Sequence, residues 1–230
     1  MVRPFQAVTF DLDGVLADSE PWWNEIDRIL LAEFGISYRG EHHREVLGVS
    51  YRVAVEFYKS AFDVSAPAEQ LMQRRAEIAT DFFANQVRLF ASAQETLEQL
   101  REMKLDLAIA TSSVSTSAHP LLKRTGIRRF FEVVVTGEEV RRGKPHPDIY
   151  LHTAKKLGTV PGACLVVEDS LAGVAAAKAA SMRVSAIPDL RFVNPREYEK
   201  EADYVLGDLS ELPALIRRVN AVSDEKHALG

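Results

Sequence analysis

Two aspartates one residue apart, Asp11 and Asp13, follow directly on the apolar run Val8-Thr9-Phe10. An acidic pair, Glu168-Asp169, follows Leu165-Val166-Val167, and three hydroxyls, Thr111-Ser112-Ser113, follow Ala108-Ile109-Ala110. Carboxylates gathered this way make a hard, oxygen-rich site suited to magnesium. Alone, they would repel one another and any phosphate dianion. A divalent cation removes both problems and orients a phosphate for in-line attack. Lys144, held between Gly143 and Pro145, offers a further positive charge. Taken singly, each group has a structural explanation. An aspartate after a strand forms turns, Thr-Ser-Ser opens a helix by capping its free N–H groups, and a loop lysine is usually solvated. Their joint occurrence after three apolar runs points to phosphoryl chemistry.

Such groups need a scaffold that gathers them. Short apolar runs alternate with helical patterns along the chain, which predicts an α/β fold with a parallel sheet. Strands are expected over residues 5–10, 105–110, 132–136, 163–167, 184–187 and 203–205, and helices over 93–103, 115–124, 147–157, 170–180 and 210–219. Ligands of open parallel sheets bind beyond the carboxyl ends of the strands, so Asp11, Thr111 and Asp169 are expected on one rim. From Asp18 to about Gln86 the pattern is helical throughout. Ile26, Ile29 and Leu30, then Val53, Phe57 and Phe62, then Leu71, Ile78, Phe82 and Phe83 carry the apolar spacing. The expected organisation is therefore a catalytic core over 1–16 and 87–230 with an α-helical cap over 17–86. The polar tail over 223–230 is expected to fray.

The motifs resemble those of the haloacid dehalogenase superfamily. Phe10-Asp11-Leu12-Asp13-Gly14-Val15-Leu16-Ala17-Asp18-Ser19 is similar to its first motif and Thr111-Ser112 to its second. Lys144 within Gly-Lys-Pro-His-Pro-Asp is similar to the third, and Val167-Glu168-Asp169-Ser170-Leu171-Ala172-Gly173 to the fourth. Four motifs in register are far more specific than a lone Asp-x-Asp. The resemblance implies a Rossmann-like core with an inserted all-α cap. It also implies Mg2+ held by the Asp11 and Asp169 carboxylates and the Asp13 main-chain carbonyl, with Glu168 assisting. Asp11 would attack phosphorus and carry an aspartyl-phosphate. Asp13 would protonate the leaving oxygen and then take a proton from water. Thr111 and backbone N–H groups around Ser112 and Gly14 would hold the phosphoryl group, and Lys144 would neutralise charge.

Asp13 argues against dehalogenation, which needs no acid for a leaving alcohol. The implied activity is hydrolysis of a phosphomonoester, with a β-phosphoglucomutase-like mutase as the alternative and a non-catalytic binding module on the same fold as a more distant one. Such mutases resemble Asp-x-Asp-Gly followed by a histidine at the start of the cap. Trp23 stands there instead, as in phosphatases of hexitol, deoxyglucose or similar sugar phosphates. In Gly48-Val49-Ser50-Tyr51-Arg52, Tyr51 intervenes before the arginine, a rotation of about 100° on a helix. Glu20, Trp23 and Arg52 are the cap's candidate substrate contacts. Glu20 reads either as a first-turn helix acid or as a substrate contact, and packing is the plainer reading for at least one of Trp22 and Trp23. His42 and His43 are expected at the solvated surface.

Composition sets the outer limits. A chain of 230 residues, 47% hydrophobic and 27% charged, is an ordinary globular composition. Its net charge of −5 gives no basic footprint for nucleic acid or an anionic membrane. No apolar stretch reaches bilayer-spanning length, and no signal peptide is evident. The one cysteine, Cys164, excludes an intrachain disulfide and reads as a small buried hydrophobe. A cytoplasmic monomer acting on a small phosphorylated metabolite is expected.

Overall fold

Strands rich in Val, Ile, Leu and Ala, with no polar alternation, must be covered on both faces, and the chain alternates such strands with helices that can cover them. The computed structural model describes residues 4–228. In chain order it contains β1 (Ala7–Phe10), β2 (Ala17–Asp18), α1 (Glu20–Ala32), α2 (Gly40–His43), α3 (Tyr51–Phe62), α4 (Ala68–Asn85) and β3 (Arg88–Leu89). There follow α5 (Ala93–Glu102), β4 (Asp106–Ala110), α6 (Ser115–Thr125), β5 (Val133–Val135) and α7 (Asp148–Leu157). The chain closes with β6 (Cys164–Glu168), α8 (Leu171–Ala179), β7 (Arg183–Ala186), β8 (Tyr204–Val205) and α9 (Leu212–Ala228).

Six strands form one sheet in the order β5-β4-β1-β6-β7-β8, and every neighbouring pair is parallel. This is the expected Rossmann-like α/β core. All residues of β1 and β6 are buried. One face packs against α5, α6 and α9 through Leu97, Leu100, Leu121, Leu122, Leu212 and Ile216. The other packs against α7 and α8 through Ile149, Tyr150, Ala154, Val174 and Ala177. Phe10 pairs with both Ile109 and Val167, so the residues that follow these three strands emerge at one level. From β1 the chain builds outward on one side through β4 and β5, then returns to β6 and builds on the other. The crevice at that reversal lies between β1 and β6, where α/β sheets bind ligands.

Helices α1 to α4 occupy the chain between β2 and β3. Those two strands pair antiparallel, Ala17 with Leu89 and Asp18 with Arg88, so the chain leaves the core and rejoins it through adjacent strands. Two residues each give no periodic signal, and sequence patterning did not predict this ribbon. Helix α4 lies along α6, and Arg124 on α6 donates to the carbonyls of Phe83, in the last turn of α4, and Val87, just past its end. The buried face of α3 is Tyr51, Ala54, Val55 and Tyr58. Val53, expected on the apolar face, points outward, because the tyrosines supply the buried stripe. Helix α9 runs on to Ala228, past the expected end near residue 219 and through most of the stretch expected to fray. Residues 229 and 230 lie outside the described residues. No helix among the described residues is long and apolar enough to cross a membrane.

Candidate active site

Asp11 follows β1, and Glu168 and Asp169 end and follow β6, the adjacent strand. Oxygens of all three lie within 4.8 Å of one another, and all three residues are buried. Lys144 reaches them from the loop before α7, its Nζ 3.1 Å from Asp11 Oδ1 and 2.5 Å from Glu168 Oε1. Burial alone would lower this lysine's pKa. The Asp11 and Glu168 carboxylates override that and hold it well above its ordinary value. Burial pushes Asp11 well above the usual carboxylate range despite Lys144, with Glu168 and Asp13 pushing further. Asp169 is also pushed up, first by burial and then by repulsion from Glu20, Glu168 and Asp11.

Three carboxylates facing one ammonium are undercompensated. Asp169 Oδ1 is buried with no hydrogen-bond partner, and such an orphaned oxygen beside Asp11 suits a hard divalent cation. Glu168 stands differently. Its Oε1 accepts from Lys144 and Tyr150, and its Oε2 from the Asp169 and Ser170 amides and the Ser170 hydroxyl. Five donors occupy a group with about four lone-pair sites, so its evident work is holding Lys144 and the loop after β6. Two glycines permit these approaches. A Cβ on Gly14, at φ +70°, would lie 1.9 Å from Asp169 Oδ2, and one on Gly173 would lie 1.8 Å from Glu168 Oε1.

Asp13 sits among donors on both oxygens. Oδ1 accepts from Ser19 Oγ at 2.7 Å and from Trp23 Nε1 at 2.9 Å. Oδ2 accepts from Thr111 Oγ1 at 3.1 Å and Ser113 Oγ at 2.7 Å. This changes two expectations, those for the Thr111 hydroxyl and the Gly14 amide. Thr111, expected on the phosphoryl group, is engaged with Asp13 and also accepts from the Ser113 amide. The Ser112 hydroxyl donates to the Gly48 carbonyl, on the chain between α2 and α3. The Gly14 amide, expected to point at phosphate, donates to the Ala17 carbonyl instead. It closes the tight turn after β1, and Gly14's contribution is clearance for Asp169.

The helices between β2 and β3 supply the opposite wall. Asp11, Asp13, Glu20, His43, Tyr51 and Arg75 face a common cavity of about 30 Å3, room for about two waters. Glu20, at the start of α1, is 4% exposed, and its Oε2 lies 3.0 Å from Nε2 of His43, which is 2% exposed. Burial lifts the Glu20 carboxyl above its usual range, against the bond from His43. Arg75 on α4 pairs with Asp27 on α1 at 2.7 and 3.1 Å. Its guanidinium lies 4.4 Å from the Trp23 ring centre and 4.6 Å from that of Tyr51.

Two further expectations are corrected here. Arg52 is exposed and pairs with Glu69, itself exposed, because the extra Tyr51 turns it out of the cavity and puts the tyrosine in its place. The histidines are not solvated. His43 is buried against Phe192 and Glu20, and half-buried His42 packs on Tyr38 and Phe62. Sequence reading gives no role in the site to Arg75 or Asp27, and none of their own to Ser113 and Tyr51. Ser113 stands beside Thr111 and shared its signal. Arg75 and Asp27 lie 48 residues apart, and no local spacing announces such a pair.

The family model for haloacid dehalogenase-like hydrolases matches residues 8–187. A phosphorylated carbohydrates phosphatase of Thermotoga maritima is 34% identical, over 77% of this chain and 82% of that protein. Hexitol phosphatase B of Escherichia coli is 29% identical, over 92% of this chain and 96% of its own length. Among solved structures, a CbbY variant from Rhodobacter sphaeroides in complex with xylulose-(1,5)bisphosphate is 25% identical. It superposes with a TM-score of 0.80, over 90% of this chain and 96% of that one.

Proposed function

This chain belongs to the haloacid dehalogenase-like hydrolases, and from that membership we propose that it is a magnesium-dependent phosphatase of a small sugar or sugar-alcohol monophosphate. Its nucleophile is Asp11, which carries an aspartyl-phosphate. Two relatives that match most of the chain are named as phosphatases of phosphorylated carbohydrates and hexitols. Within the chain, the observation that carries the reading is Asp13, two residues past the nucleophile, with both oxygens engaged by directed donors.

The Asp11 carboxylate attacks phosphorus, the bond from phosphorus to the leaving oxygen breaks, and Asp13 gives that oxygen a proton. A water then attacks phosphorus, Asp13 takes its proton, and Asp11 is released with inorganic phosphate. The partners of Asp13 indicate which oxygen carries the proton. Trp23 Nε1 can only donate, so Oδ1 must remain an acceptor. The hydroxyls of Thr111 and Ser113 can rotate to accept, so Oδ2 is free to hold it. Asp11, Asp169 and the Asp13 main-chain carbonyl would hold magnesium, which when bound supplies the charge that lets a phosphate dianion approach. Lys144, fixed by Glu168, neutralises charge at the nucleophile.

Residues 17–86 act as a cap. Closing over the strand ends, this cap would exclude water and select the leaving group. The mutase alternative lacks support at Arg52, which turns outward to Glu69. The reading carries with it a cytoplasmic monomer. The experiment is phosphate release from a panel of phosphomonoesters, with magnesium or chelator, using wild type and Asp11→Asn. Release that needs magnesium and vanishes in the variant is expected. Interconversion of a hexose 1-phosphate and 6-phosphate without release would establish the mutase instead.

A further inference from the structure

We infer that the Glu20–His43 pair is the specificity element of the cap, with Glu20 accepting a hydrogen bond from a hydroxyl of the leaving group and His43 as the positioning residue that aims it. The preferred substrate is then a monophosphate whose leaving group is an uncharged polyol, and leaving groups with a second anion are rejected. This rests on the phosphatase reading above.

The pair is not local capping. Its members come from α1 and α2, 23 residues apart, and both are buried on the wall that faces Asp11 and Asp13. A first-turn glutamate ordinarily lies in solvent near the helix N-terminus. This one is turned inward, where it adds to the repulsion felt by Asp169. An apolar side chain would fill such a place at less electrostatic cost, so the carboxyl is retained for what it can bind. Ring packing on Phe192 and the bond to Glu20 fix the imidazole. With Nε2–H donated to Glu20, the remaining acceptor capacity of that carboxylate is available to a substrate hydroxyl.

Rejection of anions follows from the charges on the same wall. The cation facing the cavity from the cap is Arg75, and Asp27 holds it in a two-bond pair. A second phosphate or carboxylate on the leaving group would meet Glu20, with no unpaired lysine or arginine lining this cavity from the cap among the described residues. Arg52 and Arg142, in the outer cleft, pair with Glu69 and Asp148, and Arg141 lines that outer cleft and not the wall that carries Glu20.

The test compares kcat/KM for glucitol 6-phosphate, hexyl phosphate and phosphoglycolate. Wild type is expected to favour the polyol ester over the alkyl ester by about 100-fold or more, since a site built to bond a hydroxyl rejects its absence strongly. Glu20→Ala and His43→Leu should each lower that ratio by about 10- to 100-fold. His43→Gln keeps an N–H for Glu20 and should restore most of it. Glu20→Gln removes the charge and should raise phosphoglycolate relative to hexyl phosphate by about 10-fold. A merely structural role would lower all three substrates together and leave the ratios alone, as would partial misfolding. Unmoved ratios, or a wild-type preference for phosphoglycolate or hexose 1,6-bisphosphate, overturn the inference while the phosphatase reading stands. No hydrolysis of any ester by folded, magnesium-loaded protein overturns both.

Discussion

Gly14→Ala separates the two demands made on one glycine. The residue adopts φ +70°, where a side chain costs about 1–2 kcal/mol, partly offset by about 0.4–1 kcal/mol from the stiffer unfolded chain. The net backbone cost is about 1 kcal/mol, or a fall in Tm of about 2–4 °C for a chain of this size. The second demand is steric. The new Cβ would fall 1.9 Å from Asp169 Oδ2 and 2.5 Å from Asp169 Cγ, so the carboxylate must swing away. Displacing a metal-holding oxygen should raise the magnesium concentration for half-maximal activity by about 10- to 100-fold. Gly35→Ala is the control. It has φ +72° and nothing within 4 Å of the added Cβ, so it bears the backbone cost alone. Magnesium titrations of activity and thermal melts of both variants give the comparison. If the two shift magnesium dependence equally, or Gly14→Ala leaves it unchanged, the assignment of Asp169 to the cation is refuted.

Asp13→Asn should reduce kcat by about 10²- to 10⁴-fold while magnesium half-saturation stays near wild type, because the main-chain carbonyl remains; isothermal titration beside steady-state kinetics checks both. Arg75→Met should lower stability by about 3–5 kcal/mol, since it strands the buried Asp27 carboxylate, and Arg75→Met with Asp27→Leu should recover most of it in chemical denaturation. In magnesium-free protein, Asp11 and Asp169 have folded pKa values raised above 3.8, so the folded state holds more protons than the unfolded. Their contribution to stability is present below that value and is lost as pH rises through the raised pKa. Magnesium binds the ionised forms, so the Tm gain on adding it should grow between pH 5 and pH 8; a gain that shrinks as pH rises would contradict this.

How much was legible in the sequence depended on whether the signal was local. The sheet was, because β1, β4 and β6 are short, mostly apolar runs followed by polar residues, and the helical stretch between Asp18 and Gln86 was, because its spacing is sustained. Asp11, Lys144, Glu168 and Asp169 meet at one place through strand order, which alternation of strands and helices implies. The directions of side chains were not legible. Arg52 turned outward because one inserted tyrosine rotated it, and the outward Val53 belongs to the same shift. His43 and Arg75 found partners 23 and 48 residues away, pairings that only the packed helices define. Thr111 was assigned to phosphate by motif, and its proximity to Asp13 depends on how β4 sits beside β1.

The four donors around Asp13 come from distant parts of the chain. Thr111 and Ser113 ride on the loop after β4, Trp23 rides on α1, and Ser19 lies between β2 and α1. If residues 17–86 move away from the sheet as the proposed cap, Ser19 and Trp23 would leave with them, and Asp13 would keep the Thr111 and Ser113 hydroxyls alone. The setting of the proposed acid would then depend on the position of the cap. A substrate that fails to draw the cap down would meet an Asp13 held from one side only, and turnover of such a substrate would suffer at the proton transfer as well as at binding.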